Sequence, residues 1–236
     1  MKTQTVEKMD FDTRLRGLRG ILWDLDNTLY RLEEMLEDSF NVAIARAAID
    51  QGIPLSFESA VAMARTSYEK TGYSGRYFLE QFGLDRNVLH FAFHKHLDEK
   101  VINASLELQQ LMDSAKLTHA LITHGARDWA LRVLQHIGLR HHFPEPQVFA
   151  LEDMAFEKKH ESRRAFLSGL DALGVEPAEA LVMEDLAENL VIPHQMGLGT
   201  VWLHHGRVPD TIPAHVDYCC ANAVEFMQYY HSVVAR

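Results

Sequence analysis

Gly20-Ile21-Leu22-Trp23-Asp24-Leu25-Asp26-Asn27-Thr28-Leu29-Tyr30 is the stretch on which the fold turns. Its apolar run, Ile21 to Leu25, is short and bounded by polar residues and glycine, which fits a buried strand. The run ends in two acidic side chains two positions apart. Because strand side chains alternate with period two, Asp24 and Asp26 are expected on one face at the strand's carboxyl end.

Comparable runs follow at Ala120 to Thr123, Val148 to Leu151, Leu181 to Glu184 and Thr200 to Leu203. Between them lie helical stripes: Trp129, Ala130, Val133, Leu134 and Ile137, then Ala165, Phe166, Gly169, Leu170 and Leu173. Gly138 and Gly174 read as helix stops, and Ala221 to Arg236 as a terminal helix. Strands alternating with single helices imply an α/β fold, a mainly parallel, doubly wound sheet covered on both faces, with ligands beyond the carboxyl ends of its strands.

One long stretch breaks the alternation. Residues 31–116 contain helix-like segments at Glu33 to Asp50, Phe57 to Lys70, Asp85 to His96 and Leu106 to Asp113, and read as an all-helical insertion. The expected division is therefore a catalytic core of residues 1–30 and 117–236 and an inserted unit of residues 31–116.

Composition narrows the function classes. The chain has 236 residues, 47% of them hydrophobic, and a formal charge of -10, which argues against a nucleic-acid polymer or an anionic membrane as partner. Met1 to Arg19 lacks the apolar core of a signal peptide and no later run is long enough for a bilayer, so a soluble cytoplasmic protein, monomer or homodimer, is expected. The two cysteines, Cys219 and Cys220, are sequence neighbours and poorly placed for a structural disulfide. The 14 histidines fall in loose pairs, among them His141 and His142, without a zinc-motif frame, and read as surface or core residues.

The strand ends carry chemistry that no single one would suggest. An aspartate attacks a phosphate dianion only if a divalent cation neutralises the oxygens and the atoms are held in line. Asp24, the Asp26 carbonyl and Asp185 supply oxygen ligands of the kind magnesium prefers, with Glu184 as a direct or water-bridged addition. Thr123, with the backbone amides of His124 and Gly125, is placed to bind the transferring phosphate near a helix start. Lys158 and Lys159 offer the balancing charge.

Asp24-Leu25-Asp26-Asn27-Thr28-Leu29-Tyr30 resembles the first motif of haloacid dehalogenase-type phosphatases, especially the pyrimidine nucleotidase-like branch. Glu184-Asp185 with Asn189-Leu190, Met196-Gly197 and Thr200-Val201-Trp202 resembles that branch's fourth motif and the strand beyond it. The resemblance runs from about Gly20 to His205. It implies a Rossmann-like core with a helical cap inserted after the first strand, closing over a small phosphorylated metabolite, with nucleoside monophosphates favoured. It makes Asp24 the nucleophile that becomes an aspartyl-phosphate and Asp26 the acid/base.

Two motifs depart from that pattern. His124 follows Thr123 where a small polar residue is usual, and Phe156-Glu157-Lys158-Lys159-His160-Glu161 lacks the usual proline after the lysine. Lys159 is the expected site lysine, with Lys158 in reserve. Tyr68 to Phe78, with Thr71 to Arg76 at its centre, corresponds to a substrate-facing cap loop. Phosphotransfer to another acceptor, as in a mutase, and a catalytically silent binding protein remain as alternatives. Dehalogenation is disfavoured by the presence of Asp26.

Overall fold

The computed structural model describes residues 10–31, 38–207 and 210–236; the expected helix start at Glu33 and the residues before Asp10 lie outside them. Six parallel strands form one sheet: β1 Gly20–Trp23, β2 Thr118–Ile122, β3 Val148–Phe149, β4 Ala180–Glu184, β5 Gly199–Leu203 and β6 Tyr218–Cys220, in the order β3-β2-β1-β4-β5-β6. The expected doubly wound α/β architecture is present. β6 has no counterpart among the expected runs, because its three residues are too few to establish a period.

Period-two alternation sorts the sheet's side chains into two cores. Ile21, Trp23, Leu121, Leu181, Met183 and Val201 share one with α7 (Arg127–His136) and α10 (Ala223–Val234). Leu22, Ala120, Ile122 and Val182 face the other, against α8 (Arg164–Leu173). Gly174 ends α8 in the left-handed conformation, at φ 63°, which costs a glycine little.

Register decides what stands at the sheet's carboxyl edge. Trp23 pairs with Leu121 on one side and Met183 on the other. Asp24, Thr123 and the Glu184-Asp185 pair therefore leave the sheet at nearly the same level. The strand itself stops at Trp23, earlier than expected, and Asp26 sits in the turn that follows. Thr28 and Leu29 there donate to the Leu25 carbonyl at 3.2 and 3.0 Å, and Asn27 takes φ 64°. Asparagine tolerates that left-handed backbone better than most residues.

Between β1 and β2, α2 (Ser39–Asp50), α3 (Phe57–Thr71), α4 (Arg76–Phe82) and α5 (Arg86–Lys95) bury a separate cluster that includes Ile44, Ala60, Ala64, Phe78 and Leu89. Much of the expected loop from Tyr68 to Phe78 is helical: α3 continues to Thr71, Gly72 caps it at φ 70°, and α4 begins at Arg76. The next helix, α6 (Leu106–Ser114), packs with the sheet instead. Its Leu108 and Met112 share a core with Trp23 and Phe226. No described helix is long and apolar enough to cross a membrane.

Candidate active site

The most deeply buried cation among the described residues organises the carboxyl edge. Lys159 is 2% exposed, and its ammonium bonds to Asp24 Oδ1 and, at 2.7 Å, to Glu184 Oε1. Burial alone opposes its charge, but the two carboxylates outweigh that and hold it above the ordinary lysine range. Lys158 is exposed, and its backbone N–H donates to Glu161. Of the two candidate lysines, only Lys159 is buried between carboxylates.

A left-handed turn delivers that lysine. Ala155 and Phe156 take φ 55° and 61°, and Phe156 N donates to the Leu151 carbonyl at 3.0 Å. Two consecutive non-glycine residues in that region store strain of about 1–3 kcal/mol each. The Phe156 ring also meets His90 of α5 edge-on, with centroids 5.5 Å apart. His124 braces the same loop: its Nε2 accepts from Lys159 N at 3.0 Å. Burial, then the nearby charges of Lys159, His160 and Lys158, push His124 down to about 3, so it is neutral and its nitrogen is free to accept. Its side chain holds the lysine loop, a role its neighbour Thr123 did not suggest.

Three carboxyl groups surround the single ammonium. Ligand oxygens of Asp24, Glu184 and Asp185 all lie within 4.8 Å of one another. Burial raises Asp24 well above the ordinary aspartate range; Lys159 pulls it back, and Glu184, Asp185 and Asp26 push it up. Burial and the Glu184 charge likewise raise Asp185 to about 7. One lysine does not keep all three carboxyls ionised, so Asp24 and Asp185 shift toward their neutral forms. Asp24 Oδ2 is buried with no hydrogen-bond partner, a costly state for a carboxylate oxygen. An all-oxygen set of three carboxyls with one lysine and an unsatisfied oxygen fits a hard divalent cation, which would let the carboxyls ionise. Asp24 and Asp185 are its best-placed ligands, because both Glu184 oxygens are occupied by Lys159, Asn189 Nδ2 at 2.9 Å and Leu186 N at 3.0 Å. Asp185 is itself oriented by Asn27 Nδ2 at 2.9 Å.

Asp26 is not in that cluster of side chains. Its Oδ1 accepts from Tyr30 OH at 2.5 Å and from Trp129 Nε1 at 3.1 Å, and its Oδ2 from Thr123 Oγ1 at 3.4 Å. Thr123 is fully buried and in turn accepts from Gly125 N at 2.9 Å. Gly125 N–H is therefore engaged with the threonine hydroxyl and not presented to a ligand. Tyr30 and Trp129 join the site as hydrogen-bond donors to Asp26, in addition to the expected residues. Tyr30 stands four residues from Asp26, a spacing that hinted at contact, whereas Trp129 was one member of an apolar stripe and gave no polar signal.

Comparison with known proteins identifies the family and the fold. Residues 18–191 match the family model of haloacid dehalogenase-like hydrolases. No curated protein matches the sequence. Among solved structures, a HAD phosphatase from Thermococcus onnurineus is 19% identical with a TM-score of 0.61, covering 90% of this chain and 97% of its own. A magnesium-bound protein of Bacillus subtilis, provisionally assigned as a HAD-hydrolase, is 18% identical with a TM-score of 0.59, over 90% and 98%. The L-2-haloacid dehalogenase of Xanthobacter autotrophicus with chloropropionic acid covalently bound is 15% identical with a TM-score of 0.56, over 91% and 98%. At these identities the structures share the fold; the family model, which spans most of the chain, assigns the chemistry class. The chain belongs to the haloacid dehalogenase-like hydrolases and is an enzyme.

Proposed function

We propose that the chain is a magnesium-dependent phosphomonoesterase that works through an aspartyl-phosphate on Asp24, with small phosphorylated metabolites as substrates. Nucleoside monophosphates come first among these, by resemblance of the Asp24 to Tyr30 motif. The observation that carries the reading is the buried group of Asp24, Glu184 and Asp185 around Lys159, with a second carboxylate, Asp26, held beside it.

In the first half-reaction an Asp24 oxygen forms a bond to phosphorus as the ester P–O bond breaks, and Asp26 in its acid form protonates the departing alkoxide. In the second, the resulting Asp26 carboxylate takes a proton from water as the water oxygen bonds to phosphorus and the Asp24 O–P bond breaks. Inorganic phosphate leaves, and Asp24 and Asp26 regain their starting states. Lys159 offsets charge on the Asp24 side, and Thr123 holds Asp26 in place through its hydroxyl. Magnesium, when bound, supplies charge neutralisation at the phosphoryl oxygens. The helices α2 to α5 form the proposed cap, which excludes water from the closed site.

A haloacid dehalogenase attacks carbon and has no leaving alkoxide to protonate, so a positioned Asp26 favours the phosphatase. The test is phosphate release from nucleoside monophosphates and sugar phosphates, with magnesium and with chelator. Release should depend on magnesium and disappear in Asp24→Asn. Halide release from a 2-haloacid, without phosphate release from any ester, would replace this reading with the dehalogenase one.

A further inference from the structure

The other end of the sheet holds a second convergence of metal-ligand side chains. Asp113 stands near the end of α6, and His141 and His142 belong to the short 3-10 turn Arg140–His142 that follows α7. The His142 ring meets His119, the second residue of β2, at 5.3 Å between centroids. Thr123 lies four residues further along, about 13 Å at the rise of a strand. The group therefore sits at the amino edge, away from the carboxylates around Lys159.

We propose that Asp113, His141 and His142 form a binding site for a transition-metal ion of the zinc class. His141 Nε2 and His142 Nε2 both lie 2.9 Å from the same oxygen, Asp113 Oδ1. Two imidazole nitrogens and one carboxylate oxygen converging on a point are a three-ligand zinc set, with room for water as the fourth. Metal bonds of about 2.0–2.2 Å put neighbouring ligand atoms about 3.0–3.5 Å apart, so small side-chain rotations complete the polyhedron.

The two histidines differ in an informative way. His141 makes a hydrogen bond to Asp113. His142 Nε2 is as close but is buried and lacks the alignment of a hydrogen bond. A buried ring nitrogen beside a carboxylate and without a hydrogen bond is an unsatisfied group that a cation between the two would satisfy.

Ligand chemistry sorts the two sites. Imidazole nitrogens favour zinc, cobalt or nickel, whereas the all-oxygen group at Asp24 suits magnesium. A bound ion would tie the end of α6 to the connection between α7 and β3, acting on stability and not on the reacting atoms.

Cobalt(II) is the probe, added to tag-free protein in excess magnesium. The expected result is one cobalt per chain with visible absorption bands, displaced by zinc chloride. His141→Ala and Asp113→Asn should each weaken cobalt binding at least tenfold, and Asp24→Asn should leave the bands unchanged. Both substituted side chains are more than half exposed, at 59% and 56%, so these variants should keep the metal-free melting temperature. Zinc should raise the melting temperature of the parent but not of His141→Ala. Absence of bands, bands that survive both substitutions, or bands lost in Asp24→Asn would overturn the proposal.

Discussion

Asp26 is restrained before any substrate arrives, by a phenol, an indole and a threonine hydroxyl. If it moves the proton of the reaction, Asp26→Asn should lower kcat about 10²- to 10⁴-fold, measured as phosphate release at saturating substrate; near-parental turnover would remove it from the mechanism. Lys159 makes a different kind of prediction. Lys159→Met leaves Asp24 and Glu184 buried without their cation, a change that costs about 3–5 kcal/mol. Because magnesium can replace part of the lost charge, its addition should raise the melting temperature of the variant more than that of the parent. Equal shifts would show that lysine and metal do not share these carboxylates.

Elements show where the packing has no slack. A Cβ placed on Gly169 of α8 would come within 2.6 Å of Leu22 Cδ2, on the central strand. Gly169→Ala should therefore destabilise by about 1–3 kcal/mol, the usual penalty for overfilling a core, even though alanine is the better helix former. Urea unfolding measures it, and a stabilised variant would show that Leu22 yields freely. Element types were readable where the apolar period was long, as in α7 and α8. The details of their ends were not. β1 stops at Trp23 and not at Leu25, because the turn bonds onto the Leu25 carbonyl take over from the ladder. α4 gives no clear helical signal along the chain, because its seven residues lie between glycines and resemble a loop.

For the molecule as a whole, buried histidines set the acid limit of stability. Burial, then the charge of His142, lowers His119 to about 3, and burial likewise brings His94 to about 3. An unfolded histidine takes up its proton near pH 6.5. Their contribution is complete above about pH 6.5 and shrinks as pH falls toward 3, where the unfolded chain binds protons that the folded one refuses. The slope is about 1.4 kcal/mol per pH unit for each histidine. His119 Nδ1 accepts from Trp23 Nε1 at 3.0 Å, a bond that an asparagine oxygen can keep. His119→Asn should therefore flatten the loss of stability between pH 6 and 4 by about one histidine's slope; an unchanged curve in urea unfolding at several pH values would refute the assignment.

The alternation of strands and helices, the parallel sheet, and the acidic strand ends at Asp24 and at Glu184-Asp185 are legible along the chain, because local periodicity and chain order carry that information. Which groups meet at those strand ends follows from packing in three dimensions. Lys159 and not Lys158 enters the carboxylates because a left-handed turn at Ala155 and Phe156 aims it. His124 turns to the lysine loop, and Tyr30 and Trp129 reach Asp26 from two elements. The meeting of Asp113 with His141 and His142 depends on where α6 and the end of α7 come to rest, 28 residues apart in sequence. Such contacts depend on side-chain direction across packed elements, which no window along the chain contains.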